Sequence, residues 1–422
     1  MTASQLMYAA MLALTKQNMA FKIAPLSTAT HSGMCINRNI RVGETVGLYY
    51  NDGASLLRMG DVPGYTSNFW VDDDNRLYTI DTTNHRLIIK DGLSGEILND
   101  TIDAYDFTVA GTKTCCAYKS SEDENEWVVI MPDGNMSAPI SILSDGNHNR
   151  TPSFGYRNGI IGVCVGNSGS WVGVDAYTYS STGQYLNTMQ RGGELSATAP
   201  LVLPISENAI GYTRNSLSAW VNAPLSAYAV ATTTGYTTYD IWGDNGYDVW
   251  HNGSSNSWLG ADQSYIYASA RHYYTDEEDP EASGWTDEYY TGRISIDDYS
   301  GLELLATDIS EGRPYNSVSA SPKGSIVHSI TTDGEVYRSM IDLTTMTDIY
   351  DDVLNDIPNN PLIHENDGFI WISGMGVYQK TPNGWLMYPT SVYPREEHDR
   401  LLGYAIRNVK IGSEGLAIVL FE

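Results

Sequence analysis

The sequence predicts an all-β protein built as a β-propeller of about seven four-stranded blades, preceded by a short N-terminal helix and an extended arm. Three observations predict it: a composition rich in Tyr, Trp and Gly, a run of evenly spaced hairpin patterns, and a first segment whose apolar period is helical. Of 422 residues, 42% are hydrophobic, and 30 Tyr, 10 Trp and 39 Gly stand against 6 Phe, a balance that favours strands and turns over long helices. The length allows more than one domain but does not force a split, because propellers run long as one unit.

Between Ser4 and Gln17, Leu6, Met7, Ala10, Met11 and Leu14 recur at helical spacing, with Thr2 or Ser4 available as a cap. A helix of about three turns is marginal alone, so its stripe must be buried, either on the propeller or on a partner subunit. Residues 18–39, with Pro25 and several Ser and Thr, read as an arm. The expected organisation is therefore a helix and arm over 1–39 and a propeller over 40–422, closed by pairing of the two chain ends. Lys16, the first basic residue, follows the apolar stretch, which is not the charge order of a secretory signal. Synthesis in a cytoplasm, without export, is the expectation. No apolar run approaches the roughly 18 residues of a membrane-spanning helix.

From Ile40 onward short apolar strands alternate with polar turns. The hairpin patterns are 69–71 with 77–80, 115–118 with 127–131, 160–165 with 171–174, 209–213 with 216–221, 265–271 with 293–296, 325–330 with 336–341, and 369–372 with 377–380. Their turns fall about 43 to 51 residues apart, except for one interval that carries an acidic insertion of about 20 residues between Arg271 and Arg293. Strands near 48–50 and 56–57 at one end, and 402–406 and 416–421 at the other, are expected to complete one blade together, which leaves no sheet edge exposed. A pair of β-sandwiches also fits strands at short spacing, but the even period favours the ring. No WD, kelch or Asp-box signature recurs.

The net charge of -27, from 51 acidic and 24 basic residues, disfavours nucleic acid and anionic membranes as partners. Cys35, Cys115, Cys116 and Cys164 form no CxxC pair and read as small core thiols; neighbours Cys115 and Cys116 on one strand would point to opposite faces. No HExxH, Gly-x-Ser-x-Gly or phosphate-binding glycine loop occurs. With so many carboxylates, no pair is singled out for glycoside hydrolysis, so no catalytic residue is assigned. Asp72, Asp73 and Asp74 could ligate Ca2+, but the turn lacks the spacing of a dedicated loop and reads first as a solvated hairpin. No other cofactor is expected.

Tyr236, Tyr239, Trp242, Tyr247 and Trp250 lie among Gly, Asn and Thr, and Trp285 and Tyr289 follow in the acidic insertion. Flat rings beside short polar side chains suit a protein-binding or glycan-binding surface, although rings also fill blades. A ring without enzymatic signature, an anchoring arm and such a surface together resemble bacteriophage virion propellers of the tail or nozzle type, in architecture rather than in any motif. The resemblance implies a non-enzymatic structural subunit of a larger assembly, located in the virion and bound to other protein subunits. The alternative expectation is a propeller that binds or cleaves cell-surface glycans, with a minor place for a glycoside hydrolase or lyase.

Overall fold

A computed structural model of the chain describes residues 30–419, apart from 52, 54, 59–67, 110–112, 143–151, 167–173, 190–200, 214–226, 241–256, 275–283, 298–300, 310–324, 333–334, 344–346, 351, 358–361 and 391–400. Among the described residues are 32 strands and one 3-10 turn, Asp352–Asp356. The helix expected over 4–17 lies outside them. The last residues of the expected arm hold a strand, β1 (Thr30–Cys35).

The chain forms two compact units: residues 63–366 with 371–376, and residues 1–62 with 367–370 and 377–422. In the larger unit six antiparallel sheets follow one another along the chain. The first holds β4 (Trp70–Val71), β5 (Arg76–Asp81), β6 (Arg86–Asp91) and β7 (Ile97–Asp103); the second β8 (Asp106–Thr108), β9 (Cys116–Lys119), β10 (Glu126–Ile130) and β11 (Ile140–Ser141). The third holds β12 (Ser153–Arg157), β13 (Ile160–Gly166), β14 (Val174–Ser180) and β15 (Tyr185–Thr188); the fourth β16 (Val202–Ser206), β17 (Ala209–Thr213), β18 (Ala227–Thr232) and β19 (Tyr236–Asp240). The fifth holds β20 (Ser257–Ala261), β21 (Tyr265–Tyr274), β22 (Gly284–Ser295) and β23 (Glu303–Ile309), and the sixth β24 (Ser325–Thr332), β25 (Glu335–Asp342) and β26 (Thr347–Tyr350).

Local chemistry explains these meanders. Arg157 pairs with Ile160 across Asn158-Gly159, whose φ values of +53° and +81° are those of the two-residue turn that matches strand twist. Period-2 alternation then buries both faces of the third sheet. On β13, Ile161, Val163 and Val165 join Trp127 and Phe154 in one core, while Cys164 turns the other way to meet Val202, Ile210 and Tyr212. The vicinal thiols divide likewise: Cys115 packs with Trp127 and Phe154, and Cys116 with Trp70, Tyr78 and Phe107. A further core joins Leu203 and Tyr228 of the fourth sheet to Ile266 and Ile294 of the fifth. Sheets stacked face to face in chain order, each sharing a core with the next, are the blades of a propeller.

Several expectations are corrected. Among the described residues six blades lie in the larger unit, and the last expected hairpin, β28 (Phe369–Ile372) and β29 (Gly376–Thr381), is divided between the two units. β17 pairs with β18, not with 216–221, and β13 pairs with β14 starting at Val174. The insertion after Arg271 extends a hairpin: β21 and β22 continue their ladder to Tyr273↔Trp285 and Tyr274↔Gly284, since rings and β-branched residues there suit a strand.

The smaller unit is a closed five-stranded barrel of order β1-β30-β2-β31-β32, with β2 (Thr45–Asn51), β30 (Gly384–Pro389), β31 (Leu401–Ala405) and β32 (Glu414–Val419). The chain ends meet directly in it, Thr30 opposite Ile418 and Met34 opposite Glu414. The barrel core holds Cys35, Ile40, Val46, Leu48, Met387, Ala405, Val409, Ala417 and Val419. Thus β2, β31 and β32 close a barrel instead of completing a blade, and β3 (Ser55–Arg58) pairs with β29. The remaining strand, β27 (Ile363–Asn366), belongs to the larger unit.

Candidate functional site

Asp72 closes β4 and is buried. Its Oδ1 accepts the backbone N–H of Asp74 at 3.0 Å and of Arg76 at 2.8 Å, and its Oδ2 accepts Arg76 Nε at 2.7 Å and the Tyr78 hydroxyl at 2.8 Å. These four donors use the acceptor sites of the carboxylate. The same device recurs in the fifth sheet, where Asp262 accepts from the N–H of Ser264 and Tyr265 and from the Tyr267 hydroxyl at 2.5 Å. Burial, and then the adjacent carboxylate, raise both phenols above their ordinary range, so they stay protonated donors. In the turn read first as a solvated hairpin, Asp72 is buried instead, and Arg76 holds it and, at 3.2 Å, Asp74. Among the described residues no group of three His, Cys, Asp or Glu side chains is placed to hold a metal ion.

Beside Asp72 the larger unit holds a half-open cavity of about 230 Å³. Trp70, Asp72 and Asp73 line it from the first sheet, Lys113, Thr114 and Pro132 from the second, Tyr156 from the third, Gln263 from the fifth, and His364, Glu365 and Asn366 from β27. Its frame is stitched by hydrogen bonds: Asn366 Nδ2 donates to Asp73 O at 2.9 Å, Tyr156 N to Thr114 Oγ1 at 2.8 Å, and Gln263 Nε2 to Tyr156 O at 3.2 Å. His364 is buried and its Nε2–H donates to Phe69 O at 3.1 Å, which leaves Nδ1 as the unprotonated nitrogen. Burial, reinforced by the positive charge of Lys113, pushes the imidazole down to about 3, so it is neutral across the physiological range. Lys113 itself is pushed down to about 8 by burial. Its backbone sits at φ +63°, a left-handed conformation that a long side chain seldom adopts, and its carbonyl accepts Trp70 Nε1 at 2.8 Å.

A second feature is exposed apolar surface. On the barrel, Tyr50 (55% exposed) and Trp385 (36%) are cross-strand partners, and His31 on β1 lies on the other side of Trp385. Both rings meet Trp385 edge-on with centroids 5.7 Å away. On the larger unit Ile97 and Leu98 of β7, Tyr185 of β15 and Tyr236 of β19 are exposed, all on strands that end their sheets.

The residues expected from sequence are only partly brought together. Leu6, Met7, Ala10, Met11 and Leu14 lie outside the described residues, as do Trp242, Tyr247 and Trp250. Trp285 and Tyr289 fall in the ladder of β22. Tyr236 is exposed, whereas Tyr239 packs against the core of Leu203, Tyr228 and Ile266. An odd spacing along one strand sends the two rings to opposite faces, so they do not share a surface. Sequence reasoning missed Lys113, His364, Tyr50 and Trp385. A left-handed lysine has no residue-type signal, and the Tyr50–Trp385 pair joins the two ends of the chain.

The six stacked sheets define the class: this is a β-propeller protein with an added barrel made from its chain ends. No family model matches the chain, and no curated protein matches it. Among solved structures it is similar to the WD40 domain of SCAP from fission yeast, at 10% identity over 80% of this chain and 98% of that one, with a TM-score of 0.33. It is also similar to Hsv2 from Kluyvelomyces marxianus, at 6% identity over 80% and 99% of the two chains with a TM-score of 0.39. An uncharacterized protein from Listeria monocytogenes gives 10% identity over 86% and 99%, again with a TM-score of 0.39. Likenesses at this level carry no argument about activity. Among the described residues no helix is long and apolar enough to cross a membrane.

Proposed function

We propose that the chain is a non-enzymatic, protein-binding subunit of a larger assembly, of the kind found in bacteriophage tails or head-tail connections. The observation that supports this reading best is the exposed ring pair Tyr50 and Trp385 on adjacent barrel strands, with the half-buried His31 edge-on to Trp385 from the strand on its other side. Isolated exposed apolar residues are ordinary, but adjacent exposed rings supply contact area at low entropy cost. The strongly acidic composition fits the same role by discouraging unspecific association, leaving apolar patches as the sites of contact.

The test is incorporation. Wild-type chain and a Tyr50→Ser/Trp385→Ser variant are expressed during particle production, and their sedimentation with assembled particles is compared on density gradients. Co-sedimentation of wild type and its loss in the variant, with thermal unfolding unchanged, are expected. A wild-type chain that never sediments with particles overturns the assembly reading. Release of oligosaccharides from surface polysaccharide by the pure protein overturns the non-enzymatic one.

A further inference from the structure

We propose that the half-open cavity of the larger unit binds a small uncharged molecule through a carbamoyl group, the CONH2 of a primary amide. The site is separate from the assembly role and shares no residue with the Tyr50 and Trp385 pair. Its wall includes His364, Asn366 and Gln263. Each of these side chains spends its N–H donors on backbone carbonyls. His364 Nε2 donates to Phe69 O at 3.1 Å, Asn366 Nδ2 to Asp73 O at 2.9 Å and to Asp72 O at 3.2 Å, and Gln263 Nε2 to Tyr156 O at 3.2 Å. A carbonyl oxygen only accepts, so these bonds fix the tautomer of the ring and the orientation of both amides.

The opposite atom of each side chain is therefore an acceptor: Nδ1 of His364, Oδ1 of Asn366 and Oε1 of Gln263. Among the described residues no group donates to any of the three, and none of the three is sealed inside protein. His364 is 3% exposed, so the space on which its Nδ1 opens is the cavity that it lines. Asn366 and Gln263 stand half-buried in the same wall. A concave wall with a few oriented polar groups is what a small-molecule site presents. Here those groups accept, so the occupant must donate.

Charge and donor number then narrow the class. An anion is opposed by the net charge of -27, which falls almost wholly on the larger unit. A cation is opposed by Lys113, whose positive charge is felt at the His364 ring. Among uncharged donors, a hydroxyl gives one hydrogen and brings two lone pairs that need donors of their own. An amide NH2 gives two hydrogens from one atom and accepts nothing, while its carbonyl oxygen keeps its water on the open side of the cavity.

The probes are butanamide, butanoate and butanamidine, which share size and shape and differ in donors and charge. Each is titrated at pH 7.5 into the full chain carrying isotope-labelled histidine, and the ring nitrogen resonances are followed. His364 is the ring that stays neutral at pH 5 and whose signals are absent from His364→Gln. Butanamide should bind saturably and move the Nδ1 resonance of His364 upfield, as an accepted hydrogen bond does. Butanoate and butanamidine should bind at least about tenfold more weakly, within the cost of a buried polar group left without its partner. Butanoate binding as tightly as butanamide overturns the donor class, and butanamidine doing so overturns the uncharged class. Saturable binding of butanamide that leaves the Nδ1 resonance in place overturns the site, as does the absence of saturable binding. The ranking is read on the wild-type protein and depends on no variant folding. Since it involves neither Tyr50 nor Trp385, its failure leaves the assembly reading standing.

Discussion

Arg157 holds Asp297 through both ends of its guanidinium, Nη1 to Oδ1 at 3.2 Å and Nη2 to Oδ2 at 2.8 Å, while its Nε donates to Gln263 O at 2.8 Å. Arg157 ends β12 in the third sheet, and Gln263 and Asp297 flank β21 and β22 in the fifth, so the tie skips the fourth sheet. A planar fork makes three directed bonds that an ammonium cannot copy. Arg157→Lys should lower stability by about 1–2 kcal/mol, the low end of the scale for hydrogen bonds to charged groups because Asp297 is largely exposed. Asp297→Asn should cost less, since the Asp297 side chain is 66% exposed and its charge is screened. Urea midpoints of the two variants check the order.

His364 gives the acid limb of stability a definite sign. Its folded value is about 3 and its ordinary value about 6.5, so between those pH values the unfolded chain binds more protons than the folded one. Its contribution to stability therefore falls as pH drops through that window, by up to about 1.4 kcal/mol per pH unit for one proton. His364→Gln keeps an N–H donor for Phe69 O without the titrating ring. Urea midpoints measured at pH 4, 5, 6 and 7 should decline less steeply in the variant than in wild type.

Lys113 acts at the other end of the scale. Its folded value of about 8 lies below the ordinary lysine value, so the unfolded chain again binds more protons between about 8 and 10.5. Its contribution to stability rises with pH across that window. Lys113→Met should remove the rise, read as a smaller gain in urea midpoint between pH 8 and 10 than in wild type.

What was legible in the sequence was what neighbouring residues decide together. Trp70 meets Tyr78, and Ser325 meets Asp342, because alternation and turn residues act over a few positions. The partner of β17 was misplaced at 216–221 for the same reason: the nearest alternating stretch looked sufficient, yet the ladder forms with Ala227–Thr232. The barrel was invisible because its pairs, such as Tyr50 with Trp385, join opposite ends of the chain. The cavity was hidden likewise, since Lys113 and His364 are brought together only by the packing of sheets. The acidic turn misled in its chemistry, because nothing local says that Arg76 folds back onto Asp72.

The Asp72–Tyr78 bond supports the cavity wall from behind. Tyr78→Phe keeps the packed ring but removes one donor from a buried carboxylate. A loss of about 1–3 kcal/mol is expected, because Asp72 Oδ2 then keeps Arg76 Nε alone and one acceptor site of a buried carboxylate is left unfilled. Tyr267→Phe, at the equivalent Asp262, should fall in the same range. Chemical denaturation of each variant tests the equivalence, and a cost near zero at either site would show that water replaces the phenol.

In the barrel, Gly47 and Tyr388 are cross-strand partners, and the buried phenol ring lies over the bare glycine. A Cβ at position 47 would stand 2.9 Å or less from Tyr388 Cζ, Oη and Cε1. The ring would have to leave a core it shares with Ile36, Tyr49 and Leu386. Alanine is otherwise the better strand residue by backbone entropy, so Gly47→Ala sets that small gain against overpacking of about 1–3 kcal/mol, and overpacking wins. The test of this cause is coupling. Tyr388→Leu destabilises on its own by vacating core volume, but in the Gly47→Ala background it also removes the clash. The double variant should therefore be more stable than the sum of the single effects, by an amount near the cost of Gly47→Ala itself. Strict additivity of the urea midpoints would mean that Gly47 is needed for its backbone and not for the ring above it.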